Sequence, residues 1–226
     1  MAQSKVIVIK LGGSYLFSGG INVDELRQIS AVVKKLMHDG YRLVMVCGGG
    51  AAARTYISAA DALNCNNGVK DNLGILISRV NAQLLIEAIG PEYAYGTPPE
   101  SLVEIRQALQ TYPCCVTAGL QPGQSTTAVA ALCAEFLNAN KVIFGTNVEG
   151  IYDYTGTNIL DKIHYKELEQ LFCTEDNSLP GSYCIMDRVA LTILSRSHIS
   201  AAVILCNAEN IENTVRGMKV GTDIIP

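Results

Sequence analysis

Short runs of consecutive apolar residues alternate along this chain with longer stretches in which apolar residues recur every three to four positions. The short runs at residues 6–10, 43–47, 114–117, 142–146 and 202–205 are rich in valine, isoleucine and cysteine. Such runs are typical of strands buried on both faces, and the longer stretches predict amphipathic helices between them. We therefore expect an α/β fold, a three-layer α/β/α sandwich with a mainly parallel central sheet.

Helix boundaries follow from capping residues and from apolar spacing. Asn22, followed three residues later by Glu25, resembles a capping box, and Gly40 suits the end of that helix. Asp71 is expected to open a helix whose apolar face comprises Leu73, Leu76, Ile77, Val80 and Leu84. Further helices are predicted near residues 51–63, 99–110, 126–137, 165–172, 185–197 and from about 209. A polar stretch to about residue 162 predicts a β excursion, and no linker or repeat is visible, so we expect one domain.

Three of the predicted strands run directly into glycine. The glycine turns lie at residues 12–14, 48–50 and 119–126, and Lys10 precedes the first of them. Glycine allows backbone N–H groups to approach an anion closely, and the helix that follows adds unpaired N–H groups and a positive dipole end. One such turn is common in α/β folds, but three in a small domain indicate a surface that holds several phosphate groups. This pattern predicts a phosphoryl-transfer enzyme.

Composition narrows the classes of partner. The chain has 226 residues, 49% of them apolar and 17% charged, with a net charge of −4 and no basic run, which argues against a nucleic-acid partner. Its longest apolar runs are far shorter than the roughly 20 residues of a membrane span. Residues 1–5 lead straight into a strand, so we expect no signal peptide and a cytosolic protein. Some of the apolar excess could cover a subunit interface.

The eight cysteines and three histidines do not form a recognisable metal or disulfide pattern. No CxxC pair and no Cys/His cluster with zinc-like spacing occurs. We expect reduced cysteines that fill the core, no metal ligands among the residues, and no role for His38, His164 or His198.

Five segments carry a family resemblance that covers nearly the whole chain. They read Lys-Leu-Gly-Gly-Ser at 10–14, Gly-Gly-Gly-x-x-Ala-Arg at 48–54, Asp-x-x-Gly-Ile-x-x-x-Arg-x-Asn-Ala at 71–82, Gln-Pro-Gly-Gln-Ser-Thr-x-Ala-Val-Ala-Ala at 121–131 and Thr-Asn-Val-x-Gly-Ile-Tyr at 146–152. The chain resembles the amino acid kinase superfamily and, within it, uridylate (UMP) kinases of the archaeal type. The first segment is common to the superfamily, whereas the third and fourth are specific to the uridylate branch.

The resemblance implies a function and an organisation. It implies transfer of the ATP γ-phosphoryl group to UMP, giving UDP for pyrimidine nucleotide biosynthesis, with Mg²⁺ accompanying ATP. It also implies a cytoplasmic homohexamer without nucleic-acid or membrane partners. Residues 1–226 would form one amino acid kinase domain, with acceptor binding and subunit contacts in the N-terminal part and ATP binding from about residue 140.

The same resemblance assigns the residues on the ATP side. Lys10 and Asp187 are implied to be catalytic, with Lys10 placing a point charge on the transferring phosphoryl group. The residues implied to bind ATP are Gly12, Gly13, Ser14, Gly50, Arg54, Thr146, Tyr152, Asp153 and Thr155. Plainer alternatives stay open: Lys10 could cap an edge strand, Arg54 could be a solvated surface arginine, and Tyr152 could be a half-buried core residue.

A second group is implied to bind UMP. It comprises Gly49, Asp71, Arg79, Leu120, Gln121, Pro122, Gly123, Gln124, Ser125 and Thr126. Asp71 is the candidate for the ribose hydroxyls, because a carboxylate accepts hydrogen bonds from both. The alternative for Asp71 is an ordinary N-cap.

The chain departs from the family pattern at three places. Thr127 stands where many relatives carry an aspartate, and residues 152–156 differ from the frequent Tyr-Asp-x-Asp-Pro. Arg188 and Thr192 replace a proline and a lysine, and Arg188 could supply the missing positive charge.

Two other functions remain open at this point. One is a sister kinase with a small acid or phosphate as acceptor, although Ala-Ala-Ala-Arg at 51–54 differs from the Ser-Phe-Gly-His of isopentenyl phosphate kinases. The other is a non-catalytic protein that stores or senses an anion, which Thr127 and Thr192 keep open.

Overall fold

A computed structural model describes residues 5–17, 19–172 and 186–226 of the chain. The strands in these ranges are β1 (Val6–Leu11), β2 (Arg42–Cys47), β3 (Cys114–Thr117), β4 (Lys141–Thr146), β5 (Lys162–His164), β6 (Ala201–Leu205) and β7 (Thr222–Ile225). The helices are α1 (Gly13–Leu16), α2 (Val23–His38), α3 (Gly50–Ala62), α4 (Asn67–Ile89), α5 (Leu102–Thr111), α6 (Thr126–Leu137), α7 (Tyr165–Phe172), α8 (Arg188–Arg196) and α9 (Ala208–Val215).

The strands form one sheet in the order β3-β2-β1-β4-β6-β7-β5. Neighbouring strands are parallel except for β6 and β7, which pair antiparallel. The chain order runs outward from β1 on one side and from β4 on the other, so these two strands flank the topological switch point. In open α/β sheets, ligands bind beyond the carboxyl ends of the strands at such a point.

Helices cover both faces of the sheet. On one face α2, α4 and α9 pack against alternate strand residues, including Ile9, Met45 and Ile143. On the other face α5, α6, α7 and α8 pack against the intervening residues, including Val8 and Phe144. The prediction of a three-layer fold with a mainly parallel sheet is therefore confirmed.

The start of α2 agrees with its sequence, although only half of the predicted capping box forms. Asn22 Oδ1 accepts a hydrogen bond from Glu25 N at 3.2 Å, which satisfies a first-turn donor. The Glu25 carboxylate does not complete the box, because its Oε1 accepts from Ala208 N at the start of α9, at 2.8 Å. Glu25 thus ties two helix starts together.

The start of α4 was predicted wrongly. The helix begins at Asn67, where Asn66 Oδ1 accepts from Val69 N at 3.0 Å, so Asp71 lies in the second turn and is not the N-cap. The sequence at 66–69 carries a capping asparagine, but Gly68 and the polar residues around it resemble a loop.

The predicted apolar face of α4 was also wrong. Leu76 and Val80 are 51% and 65% exposed, whereas the helix packs on the sheet through Ala82, Leu85 and Ile86. This helix is apolar on both sides, so the periodicity could not tell which side faces the core.

The region after β4 contains two strands that the sequence did not reveal. The predicted β excursion is present as an antiparallel bridge between Tyr152 and Ile159, and β5 follows it. After α9 the chain adds β7 between β6 and β5. The predicted loop at 180–182 lies outside the described residues.

The described cysteines are free thiols, as predicted. Cys47, Cys114, Cys115, Cys133 and Cys206 are buried, and Cys65 is partly exposed. Within the described ranges, no helix is both long and apolar enough to cross a membrane.

Candidate active site

The predicted site residues of the glycine turns meet at the carboxyl edge of the sheet. Lys10 is the penultimate residue of β1, where its backbone lies between Val46 of β2 and Phe144 of β4. Only 8% of its surface is exposed. A lysine this buried, at the switch point of the sheet, is not the edge-strand cap that the sequence left open.

Burial dominates the electrostatics of Lys10. Loss of hydration lowers the pKa of its ammonium group, while Cys206 and Asp187 partly oppose this shift. Burial also raises the pKa of the Cys206 thiol to about 11, so the thiol is neutral at pH 7. Asp187 therefore supplies the negative charge that acts on Lys10 at neutral pH. Cys206 beside Lys10 was not singled out by its sequence pattern.

The first two glycine turns touch each other through backbone atoms. A Cβ built on Gly13 would lie 2.4 Å from Gly50 N, which no side chain could tolerate. Gly50 itself has φ +67°, in the left-handed region that favours glycine. Ala51 N donates to Phe17 O at 2.8 Å, which joins the end of α1 to the start of α3. These turns thus form one continuous backbone surface.

The third glycine turn, here called the β3–α6 loop (residues 118–125), is held by distant carboxylates. Asp71 Oδ2 accepts from Gly123 N at 2.8 Å. Ser125 Oγ accepts from Ala128 N at 2.9 Å, which caps α6, and donates to Asp187 Oδ2. Asp187 in turn caps α8, because its Oδ1 accepts from Ala190 N at 2.8 Å. The structure therefore joins two predicted site residues, Ser125 and Asp187, and with them two helix starts.

Arg79 lies against the same loop. Its Nε and Nη2 atoms both lie 3.4 Å from Gly119 O, and Nη1 forms an ion pair with Glu100. The side chain of Arg79 is 17% exposed. It holds the loop through the Gly119 carbonyl and keeps a small accessible surface.

The predicted ATP-binding residues of this region are the last residue of β4 and residues of the loop that follows, here called the β4–β5 loop (residues 147–161). Thr146 Oγ1 lies 2.9 Å from Val148 O and 3.2 Å from Ile204 O, so the hydroxyl serves the backbone at the end of β4. Asp153 Oδ1 accepts from Thr155 N at 3.0 Å and from Thr155 Oγ1 at 2.6 Å, and Oδ2 accepts from Asn158 at 2.9 Å. These bonds, the Thr155 hydroxyl first, hold the Asp153 pKa well below its usual range.

The remaining predicted residues are distributed around this edge. Gly49 is the N-cap of α3, Arg54 is exposed one turn into α3, and Ser14 lies in α1. Tyr152 is 40% exposed, so it is a surface residue and not the core residue of its alternative interpretation. Leu120, Gln121, Pro122 and Gln124 lie in the β3–α6 loop, and Thr126 is the first residue of α6.

Two of the three family departures lie on helices, and the third, at residues 152–156, lies in the β4–β5 loop. Thr127 is 4% exposed in the first turn of α6. Thr192 is exposed on α8, and its hydroxyl donates to Arg188 O at 2.8 Å. The first turn of α6 therefore carries no acidic side chain.

Two buried polar residues of α4 were not predicted as site residues. Ser78 and Asn81 contact Gly119 and Gly48 in two different glycine turns. They stand at i and i+3 on a face otherwise formed by Ile75, Ala82 and Leu85, and that interruption was the available signal.

The described residues contain no group of three or more His, Cys, Asp or Glu side chains that could hold a metal ion. Both oxygens of Asp187 already accept hydrogen bonds from the protein. This arrangement fits a Mg²⁺ ion that is bound mainly by substrate phosphates and keeps several waters, as Mg²⁺ commonly does.

Comparison with known proteins places this geometry in a family. Residues 5–205 match the model of the amino acid kinase family. The chain belongs to the amino acid kinase family. It is 36% identical to the uridylate kinase of Hyperthermus butylicus over 225 residues, which cover 96% of each chain. It is 34% identical to the uridylate kinase of Methanocaldococcus jannaschii, with 96% of this chain and 98% of the relative covered.

A solved structure of an amino acid kinase supports the same placement. The crystal structure of the uridylate kinase from Archaeoglobus fulgidus superposes with a TM-score of 0.86 at 33% identity, covering 96% of this chain and 99% of that chain. The resemblance to archaeal uridylate kinases that the five segments indicated is therefore confirmed.

Proposed function

We propose that this chain is a uridylate kinase, which transfers the γ-phosphoryl group of ATP to UMP and releases ADP and UDP. The observation that carries the proposal is the placement of buried Lys10 beside the touching glycine turns, in a chain 33–36% identical over nearly its whole length to archaeal uridylate kinases. The product would enter pyrimidine nucleotide synthesis.

Phosphoryl transfer requires alignment and charge stabilisation more than proton transfer. The attacking oxygen belongs to the UMP phosphate and is already anionic, so the reaction needs no general base. Lys10 is surrounded by protein, and its positive charge stabilises the negative charge that develops on the ADP oxygen as the old bond breaks. Low local polarity strengthens this interaction, and the glycine turns add backbone N–H groups.

Asp71 and the β3–α6 loop form the proposed acceptor site. Asp71 Oδ2 holds Gly123 N, which leaves the other carboxylate oxygen for a ribose hydroxyl. Arg79 lies beside the same loop and carries the positive charge that an acceptor phosphate needs. The loop residues and Gly49 complete this half, which belongs to the N-terminal part of the single domain that we propose.

The proposed ATP half comprises the first glycine turn, Gly50, Arg54, Thr146 and the β4–β5 loop. Asp153 organises that loop from within, so its role is to shape the nucleotide pocket. Mg²⁺ bound to the ATP phosphates would neutralise charge on the transferring group. Asp187, close enough to Lys10 to affect its pKa, would keep the lysine oriented.

We also propose a homo-oligomer, a hexamer by the family resemblance. An exposed apolar stripe runs along α4 and the end of α3, and its members are Leu63, Val69, Leu76, Val80 and Leu84. On α4 these residues are four or seven positions apart, so they lie along one side of the helix. A stable contact buries about 800 Å² on each partner, which a 23-residue helix and its neighbour can supply. Two copies of the same uncharged stripe are self-complementary, as a twofold interface requires.

Cytoplasmic residence belongs to the same proposal. It is supported by the free thiols of the six described cysteines, since reduced cysteines are usual in reducing compartments.

An acceptor screen tests the proposed function. The enzyme is mixed with ATP, Mg²⁺ and UMP, CMP, dTMP or GMP, and nucleoside diphosphate formation is measured. We expect UMP to be preferred by at least about tenfold in kcat/KM. Turnover of another acceptor at a higher rate, or ATP binding without turnover of any, would contradict the assignment.

A further inference from the structure

Two polar side chains are buried on the face of α4 that packs against the sheet. Ser78 is 2% exposed and Asn81 is 8% exposed, on a face otherwise formed by Ile75, Ala82 and Leu85. A buried polar group is costly unless it is hydrogen-bonded, so each of these positions needs a partner. Both partners are backbone atoms of glycine turns.

Asn81 holds the second glycine turn. Its Nδ2 donates to Gly48 O at 2.8 Å. Gly48 is also in contact with the first turn, because a Cβ on Gly48 would lie 3.0 Å from Gly13 N. The carbonyl that Asn81 holds therefore belongs to the residue that packs directly against the ATP-side turn.

Ser78, one helical turn earlier, holds the third glycine turn. Its Oγ accepts from Gly119 N at 3.2 Å and donates to Ile75 O at 2.7 Å. Gly119 O lies 3.4 Å from two nitrogen atoms of Arg79. Both polar atoms of the Gly119 backbone thus point to α4, and the fixed rise of the helix sets the separation between the two turns.

We propose that Asn81 and Ser78 are positioning residues that keep the donor and acceptor halves of the site in register for phosphoryl transfer. They touch no substrate and act through Gly48 and Gly119. The inference rests on the proposed kinase function, because register matters only where two bound substrates must react.

This role has a kinetic signature. The proposed ATP contacts centre on the first turn and the proposed UMP contacts on the third, and the second turn contributes Gly50 to one half and Gly49 to the other. Loosening the turns against each other therefore leaves both binding sites present but misaligned. A displacement of about 1 Å between reacting groups can cost about 10²-fold in rate. Loss of register should therefore lower kcat much more than it weakens the binding of either substrate.

The experiment compares Asn81→Leu and Ser78→Ala with wild type and with Asn67→Leu. Asn81→Leu removes the donor at similar volume, and Ser78→Ala removes the hydroxyl with a smaller change in packing. Asn67→Leu makes the same exchange in the exposed first turn of the same helix. We expect kcat for ATP and UMP to fall about 30-fold or more for Asn81→Leu and about 10-fold for Ser78→Ala. By calorimetry, the Kd values of ATP and of UMP should stay within about threefold, and Asn67→Leu should match wild type.

The outcomes separate the two claims. Wild-type turnover of UMP is measured first, and its absence overturns the proposed function and the positioning role together. If wild type turns over but both variants keep kcat within about threefold, only the positioning role is overturned. The positioning role is also overturned if kcat falls while the Kd values of both substrates rise in parallel, because that pattern indicates a general loss of structure. If Asn81→Leu does not fold, the kinetics of Ser78→Ala alone decide whether the positioning role holds.

Discussion

The β3–α6 loop and the β4–β5 loop leave the same edge of the sheet, but different kinds of contact hold them. Asp71, Ser78 and Arg79, all on α4, hold the β3–α6 loop from 40 or more residues away in sequence. The tip of the β4–β5 loop is held from within, because Asp153 bonds to residues two to five positions away. The ends of this loop are tied to β7, where Thr222 Oγ1 accepts from Ile151 N at 2.8 Å and donates to Leu160 O at 2.6 Å. Its tip residue Tyr154 is 92% exposed.

The difference separates two ways of building one active site. A loop clamped by a helix inherits the rigidity of the sheet and suits the selection of one acceptor. A loop tip organised by a single aspartate can form locally, while its ends stay fixed to β7. Loss of the Asp71 carboxylate should therefore affect the KM for UMP, whereas loss of the Asp153 carboxylate should affect the KM for ATP.

Lys10 stands between the two loops, and its replacement should have the largest effect. Lys10→Met should lower kcat by about 10²-fold or more with smaller changes in both KM values, because the charge acts on the transferring group. Steady-state kinetics measure this, with Lys162→Met at an exposed position of β5 as the control. Full turnover by Lys10→Met would remove the centre of the mechanism.

The same variant tests the cost of burying the ammonium group. The folded-state pKa of Lys10 is below 10.5, so the unfolded chain binds this proton more tightly. The charge then costs folding free energy at neutral pH, and the cost is relieved as pH rises toward 10.5. Lys10→Met should melt at or above the wild-type temperature at pH 7, and its advantage should shrink at higher pH. A clearly lower melting temperature would contradict the desolvation argument.

Asp71→Asn tests the clamped loop. The amide oxygen can still accept from Gly123 N, but the charge for a ribose hydroxyl is lost. We expect the KM for UMP to rise about tenfold, with kcat and the KM for ATP close to wild type, the pattern of lost uniform binding. Asp24→Asn on the exposed start of α2 is the matched control. A rise in the KM for ATP instead would place Asp71 on the wrong side of the site.

Asp153→Ala tests the self-contained loop and should have a smaller effect. Loss of the carboxylate removes the bonds to Thr155 and Asn158, so the KM for ATP should rise about threefold to tenfold while the KM for UMP is unchanged. Initial rates at varied ATP measure it. Since the Asp153 pKa is depressed, the loop should keep its charge and its effect on ATP down to pH 4. Equal changes in both KM values would mean that the two loops are not independent.

Val80→Glu should have the smallest effect on catalysis. A charge in the exposed stripe of α4 should reduce the mass of the assembly and leave kcat within about threefold, because Val80 is 65% exposed and makes none of the loop contacts described above. Light scattering at micromolar concentration measures the mass. Val103→Glu, at a similarly exposed valine of α5, should leave it unchanged. A wild-type monomer would end the assembly proposal.

The sequence by itself determined the layers, the three glycine turns and the strands β1, β2, β3, β4 and β6, because each depends on local chemistry. An apolar run favours a buried strand wherever it occurs, and glycine after a strand permits a tight turn in any context. The same local logic identified Lys10, since it directly precedes one of these turns.

Only the tertiary structure decided which side of α4 faces the sheet, and so which residues became buried clamps. With apolar residues on both sides, the helix could turn Leu76 and Val80 or Ile75 and Leu85 inward, and packing against the sheet chose the latter. That choice carries Ser78 and Asn81 to Gly119 and Gly48, between 33 and 41 positions away. Contacts over such separations leave no periodic trace, because they depend on how two distant backbones pack.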